Sequence, residues 1–273
     1  MKRHILLMWA LVCTASATLL FSCSKDDASA PDPTQGLHKI SGGYAPGAGL
    51  TVDIYSTTPN VYTGYQRFYF LVKDSITGQT ITEAPITLHP MMDMGMMQHA
   101  SPYENPLPVA TNQLFEGSVV FIMPSTGGTW TLGVRVTHPV TGAIGTYTST
   151  ISVTEPTESK MKSFTSAHNG EKYFVALIEP AKPKIGINDY ELAVYKRTSM
   201  MSFPADSTLT VMHTPEMPTM GHGSPNNVMP AHVGKGHYKG KVNFTMSGFW
   251  RIHMDYMHGT EVADSTQYFD ITF

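Results

Sequence analysis

Cysteine is almost missing from this 273-residue chain: there are two, Cys13 and Cys23, both within its first 23 residues. Beyond Cys23 no thiol exists to close a disulfide, hold a metal or act as a nucleophile. Charge is sparse too, at 14% of residues with a formal balance of −3. Once Lys2 and Arg3 are set aside with the leader, 16 basic residues face 21 acidic ones, which excludes the basic face that nucleic acid requires. The Gly-x-Ser-x-Gly elbow, the zincin His-Glu-x-x-His and a phosphate loop are absent, so no enzyme is expected. No segment sustains a helical apolar stripe.

What is present begins with an export signal. Met1-Lys2-Arg3-His4 is a short basic stretch, and Ile5 to Phe21 is apolar but too short for a stable membrane span. Leu20-Phe21-Ser22-Cys23 follows and resembles the lipobox of bacterial lipoproteins, which implies cleavage before Cys23 and lipid on its sulfur. Ser24-Lys25-Asp26-Asp27 resembles the acidic signal that sends some Gram-negative lipoproteins to the cell surface. The expectation is an outer-membrane lipoprotein, facing the periplasm or the exterior, with the membrane as a partner through Cys23.

The mature chain divides by composition into a flexible tether over 23–48, rich in Ser, Ala, Pro and Gly, a first domain over 49–154, a linker over 155–170 and a second domain over 171–273. The domains read as copies of one another. Asp93-Met94-x-x-Met97-x-His99-x-Ser101-Pro102 returns 123 positions later as Glu216-Met217-x-x-Met220-x-His222-x-Ser224-Pro225. Phe115, Gly117, Val119, Phe121 and Met123 fall with the same offset on Tyr238, Gly240, Val242, Phe244 and Met246. After a three-residue deletion Trp130 meets Trp250 and His138 meets His258. Within each copy apolar residues alternate with period two, as in Phe68-x-Phe70-x-Val72 and Trp250-x-Ile252-x-Met254-x-Tyr256, the mark of half-buried strands. The fold class expected is all-β: two tandem immunoglobulin-like β-sandwich domains after a signal peptide and a flexible tether.

Methionine is the other anomaly. Sixteen of 18 lie outside the leader, and Met91, Met92, Met94, Met96 and Met97 fall within seven residues, while Met212, Met217, Met220 and Met229 flank the second motif. Proline and glycine mark both stretches as loops, where a flexible apolar side chain gains little from water. Thioether sulfur is a soft ligand that selects Cu(I), and imidazole suits copper in either oxidation state. Met217, Met220 and His222, with Met94, Met97 and His99, are therefore the candidate copper ligands, and Asp93 and Glu216 are candidates to orient the rings. His253 faces outward, where it could join His232 or His237 in a Cu(II)-type site; Met123, Met246 and Met254 fall at core positions. Two competing uses of the methionines are a hydrophobic plug at the end of each sandwich and scavenging of oxidants.

The run Met217-Pro218-Thr219-Met220-Gly221-His222-Gly223-Ser224, with Gly236-x-Tyr238-x-Gly240-x-Val242-x-Phe244-x-Met246 and Gly248-x-Trp250-x-Ile252 after it, resembles the YtkA-like and FixH-like domains. The first copy departs from the pattern: Met94-Gly95-Met96-Met97-Gln98-His99 lacks the proline, and Pro124 to Gly128 lengthens the turn before Trp130. The resemblance implies an extracytoplasmic β-sandwich linked to copper handling, including maturation of copper oxidases. It points to Met217, Met220 and His222, and to Met94, Met97 and His99 in the first copy. The function expected is a lipid-anchored protein that accepts or delivers Cu(I) to a donor or acceptor protein. The alternative is a non-metal interaction or adhesion module that uses exposed aromatics such as Tyr103 or Tyr238.

Overall fold

The computed structural model describes residues 32–273; the signal segment 1–22, the lipid acceptor Cys23 and the tether up to residue 31 lie outside the described residues. The first half runs through β1 (His38–Ala45), β2 (Leu50–Ser56), β3 (Val61–Tyr62), β4 (Gly64–Asp74), β5 (Thr80–Ile81), β6 (Ile86–Asp93), β7 (Gln98–Ala100), β8 (Tyr103–Glu104), β9 (Phe115–Phe121), β10 (Thr129–Thr137), β11 (Ile144–Ile151) and β12 (Val153–Thr154). The second runs through β13 (Met161–Thr165), β14 (Lys172–Glu179), β15 (Gly186–Arg197), β16 (Thr210–Met217), β17 (His222–Gly223), β18 (Val228–Gly234), β19 (His237–Phe244), β20 (Phe249–His258), β21 (Glu261–Asp264) and β22 (Tyr268–Thr272). Among the described residues there is no α-helix.

In the first half, β1-β2-β4-β9-β8 make one sheet, with β5 on β4, and β11-β10-β6-β7 make the other. In the second, β13-β14-β15-β19-β18 and β21-β20-β16-β17, with β22 also on β20, repeat that order strand for strand. If β2, β4, β9 and β8 are lettered A, B, E and D, and β6, β10 and β11 C, F and G, the order is that of an immunoglobulin constant-type sandwich. The chain is thus all-β, with two tandem immunoglobulin-like sandwiches.

Period-two alternation sorts the side chains as the sequence requires. Phe68, Phe70 and Val72 on β4, and Tyr190, Leu192 and Val194 on β15, are buried in separate cores. Trp130 packs edge-on against Phe121 with ring centroids 5.2 Å apart, and Trp250 lies tilted on Phe244 at 5.4 Å. Tyr238, named above as an exposed aromatic, is instead buried in the second core, because its β19 position shares the inward face with Val242 and Phe244. The boundaries differ from those read from composition. β1 lies inside the stretch assigned to the tether, since Gly42 and Gly43 pair with Asp53 and Val52 and a side chain on Gly43 would strike the Tyr147 ring. β13 lies inside the stretch assigned to the linker, and its Phe164 stacks on Tyr173 and Tyr256.

The sandwiches also bury surface against each other. Ala176, Ala193 and Tyr195, on the outer face of the second, close over Val120 of the first, with Tyr65, Met161 and Ile178 beside them. Next to this patch the Glu104 carboxylate accepts hydrogen bonds from Tyr195 Oη at 2.7 Å and Tyr65 Oη at 3.2 Å. His237 bridges Glu104 and Glu191, at 2.7 Å to each. The bond to Glu104 raises the His237 pKa above its ordinary value, against the opposing effect of burial. Burial pushes Glu104 up, but the bonds from His237 and Tyr195 outweigh it and lower its pKa.

Two outcomes follow from this architecture. Trp250→Ala should destabilise the protein by about 3–5 kcal/mol, the usual range for emptying a buried Trp site, as read by urea denaturation; a loss under about 1 kcal/mol would place Trp250 outside a tight core. His237, with its raised folded pKa, contributes stability that is fully present below about pH 6.5 and is lost as pH rises through the folded value. Melting temperatures of the wild type and His237→Gln should therefore converge from about pH 6 to pH 9. A gap that widens over that range contradicts the bridging role.

Candidate metal centre

Each candidate histidine sits on a short strand that folds back from the C strand of its sandwich. In the first, β6 turns at Gly95 (φ +80°) and returns as β7, with Met94 N–H donating to Met97 O at 3.0 Å. In the second, β16 turns at Gly221 (φ +63°) and returns as β17, with Met220 and Gly221 N–H both donating to Met217 O at 3.0 Å. Left-handed backbone at these two positions favours glycine.

Strand register decides which methionine meets which histidine. His99 lies opposite Met92, and Met92 opposite Trp130; His222 lies opposite Met217. The structural counterpart of Met217 is therefore Met92 and not Met94, because the first hairpin is two residues longer. The 123-residue offset holds on the histidine side of the turn and fails on the methionine side.

Around each histidine the geometry recurs. His99 is buried, 4% exposed, and its Nδ1–H donates to Ala100 O at 2.8 Å, while its Nε2 stands 3.3 Å from Met123 Sδ. Its ring meets Trp130 edge-on at 5.4 Å, and Trp130 Nε1–H donates to Met123 O at 2.9 Å. His222 is half-buried, its Nδ1–H donates to Gly223 O at 2.8 Å, its ring meets Trp250 edge-on at 5.8 Å, and Trp250 Nε1–H donates to Met246 O at 3.0 Å. A side chain on Gly127 would come within 2.5 Å of Met123 Cε and 3.7 Å of Met92 Cε, so both thioethers converge on the space that glycine leaves. In the second sandwich Met217 Cε lies 3.1 Å from the same kind of space at Gly248.

The predicted ligand set divides accordingly. His99 and His222 lie at the ends of their sandwiches against the tryptophans. Met217 is beside His222 but is 3% exposed and part of the core, where the sequence placed it in a loop. Met94, Met97 and Met220 stand out from the turns, with Met220 61% exposed. Met92, Met123 and Met246 stand outside the ligand set expected from the sequence, which puts Met123 and Met246 at core positions because they continue a strand alternation. Met123 is in fact half-buried beside His99 and Met246 is exposed, whereas Met254 is core and accepts Tyr190 Oη–H at 3.1 Å. The signal that could have found them was the repeat itself, which keeps Met123 and Met246 in register.

The carboxylates do not orient the rings. Asp93 caps its own turn, accepting from Gly95 N–H at 2.8 Å and Gln98 Nε2 at 3.1 Å, and Glu216 pairs with His253 at 2.8 Å. Backbone carbonyls take that role. His253 does not meet His232 or His237: it lies on β20, His237 on the other sheet binds Glu104 and Glu191, and His232 Nε2 accepts Gly236 N–H at 3.3 Å. Among the described residues no three His, Cys, Asp or Glu side chains group as a metal site.

The donor set fits a soft cation. A neutral imidazole carries one N–H, and in His99 that proton is held on Nδ1 by the carbonyl, so Nε2 presents a lone pair to a sulfur that has only lone pairs. In that neutral form the imidazole nitrogen and the thioether sulfur, 3.3 Å apart, face one another as two donors that a soft cation could bridge. Fixing the second ring nitrogen on a carbonyl is the usual support for a metal-binding histidine.

No curated protein sequence matches the chain. Among solved structures, domains 5–6 of the S-layer protein SbsC align over 86% of this chain and 97% of that chain, at 12% identity and a TM-score of 0.29. A DUF4785-family protein from Legionella pneumophila aligns over 83% of this chain and 48% of that one, at 9% identity and a TM-score of 0.28. Domains 4–9 of surface layer protein SbsC give 82%, 35%, 11% and 0.29. At such scores the description of the fold rests on its own strand order. The sequence comparison is more specific: residues 167–255, which span β14 to most of β20, match the family described as YtkA-like.

Proposed function

We propose that this chain is a lipid-anchored extracytoplasmic carrier, and not an enzyme, that binds Cu(I) at the ends of its two sandwiches and accepts it from or delivers it to another protein. The observation that carries this reading is the contact between His99 Nε2 and Met123 Sδ, an imidazole nitrogen beside a soft thioether with the Nδ1 proton held by the Ala100 carbonyl. The ligands assigned are His99, Met123 and Met92 in the first sandwich, and His222, Met246 and Met217 in the second. Met94, Met97 and Met220 are assigned to the turn outside, where exposed thioethers receive the ion before it moves inward. The YtkA-like match over 167–255 supports an extracytoplasmic setting, and the shared strand order supports the first sandwich as a diverged copy of the same FixH-like kind. Anchoring at Cys23 to the outer membrane, on its periplasmic or exterior side, completes the proposal.

With thioether and imidazole as ligands and no thiolate, Cu(I) should bind and Zn(II) at the same concentration should not, because zinc takes nitrogen, oxygen and thiolate ligands. The test is titration of the protein with Cu(I) against a competing chelator. Two ions per chain are expected, with Met123→Ala weakening one site and Met246→Ala the other by about tenfold or more, since water is too hard a donor to replace sulfur. Unchanged Cu(I) affinity in both variants, together with a large fall in melting temperature, would make the methionines structural plugs.

A further inference from the structure

The two sites are alike around the ring and unlike in what holds the strand that carries it. The segment from Gln98 to Glu104 comprises β7, a two-residue link and β8. His99 stands near its start and Glu104 at its end. The first sandwich holds it by pairing β7 with β6 and β8 with β9 and by bonds of Ser101 and Pro102 to Val120, and the second sandwich adds a grip at both places. Ala100 accepts the His99 ring proton through its carbonyl, and its own N–H donates to Met200 O, in the β15–β16 loop of the second sandwich, at 2.9 Å. Five residues from His99, Glu104 receives Tyr195 Oη and His237 Nε2, both from the second sandwich and both at 2.7 Å.

The corresponding segment of the second site makes its bonds at home. After His222 and Gly223, Ser224 O accepts Asn227 Nδ2 at 2.7 Å, and Asn227 Oδ1 accepts Asn243 N–H at 2.9 Å. These partners all belong to the second sandwich.

We infer that docking of the second sandwich positions His99, so that metal binding at the first site is coupled to the interface between the sandwiches while binding at the second site is not. Met200, Tyr195 and His237 act as positioning residues through the segment and touch no ligand atom. When the sandwiches are docked, Ala100 is fixed and its carbonyl keeps the ring proton on Nδ1, leaving the Nε2 lone pair toward Met123. When they part, both ties are released, the ring samples both tautomers, and the site loses its preorganised donor. The exchange this implies is a change of ligands on Cu(I) with no change of oxidation state. A partner that wedges the sandwiches apart would thus take the ion from the first site selectively. The inference rests on the copper reading for its functional meaning, and the coupling itself can be read without metal.

The test uses the full-length protein with its histidine rings labelled with nitrogen-15, in wild type, His237→Gln and Tyr195→Phe. Tyr195→Phe removes a single hydroxyl and serves if His237→Gln fails to fold. In metal-free protein the ring nitrogens of His99 should move toward a tautomer mixture in the variants, and those of His222 should stay as in the wild type. On titration with Cu(I), the first site should weaken by about tenfold, as loss of one hydrogen bond to a charged group implies, and the second should not change. Equal shifts at both histidines, or none at either, would overturn the coupling. If the wild type binds no Cu(I), the copper reading fails, and the ring spectra alone decide whether docking positions His99.

Discussion

Both candidate centres depend on one hydrogen bond, from the histidine Nδ1–H to the carbonyl of the very next residue, 2.8 Å long in each sandwich. That bond holds a proton on Nδ1, so that in the neutral ring Nε2 carries the lone pair. It also sets the ring edge-on to a tryptophan, and the indole N–H of the same tryptophan fixes the backbone of the methionine that follows the E strand. A buried indole requires an acceptor, and a ring nitrogen next to a carbonyl requires its proton. Satisfying both leaves an imidazole lone pair and thioether sulfurs as the uncommitted polar atoms at the end of each sandwich. Elsewhere in the molecule histidines are spent differently: buried His213 donates to Lys241 O and lies against Tyr190, and half-buried His237 is bridged by two carboxylates.

The two sandwiches share one strand order and differ in their degree of closure. The first site has its histidine buried and lies under a hairpin two residues longer, whose turn adds the exposed thioethers of Met94, Met96 and Met97. The second has its histidine half-buried under a shorter hairpin with Met220 alone outside. A buried donor held from two sides favours retention, and an open one favours exchange. The interface patch around Val120 and Tyr195, with the Glu104 node beside it, makes the pair more than beads on a string.

Much of the architecture was legible in the sequence because strands announce themselves by period-two alternation and because Trp130 and Trp250 mark the same core position in both sandwiches. The histidines were legible for a related reason: they lie downstream of the turn, where the repeat keeps its offset. The methionine partners were not. A hairpin can change length without disturbing either flanking strand, so matching letters placed Met94 where the backbone places Met92. Long-range pairing also hid the roles of Asp93 and Glu216, since a carboxylate next to a ligand in sequence finds its partner in a turn or on a neighbouring strand. The glycine-rich stretch around Gly42 and Gly43 read as a tether because its purpose, room for Tyr147 about a hundred residues away, leaves no local trace.

The most direct test of the account is X-ray absorption at the copper edge of the Cu(I)-loaded protein. The proposed ligand sets predict a first shell of imidazole nitrogen with thioether sulfur, and Met123→Ala and Met246→Ala should each remove sulfur from that shell. A shell made only of nitrogen and oxygen, unchanged by those substitutions, would contradict it.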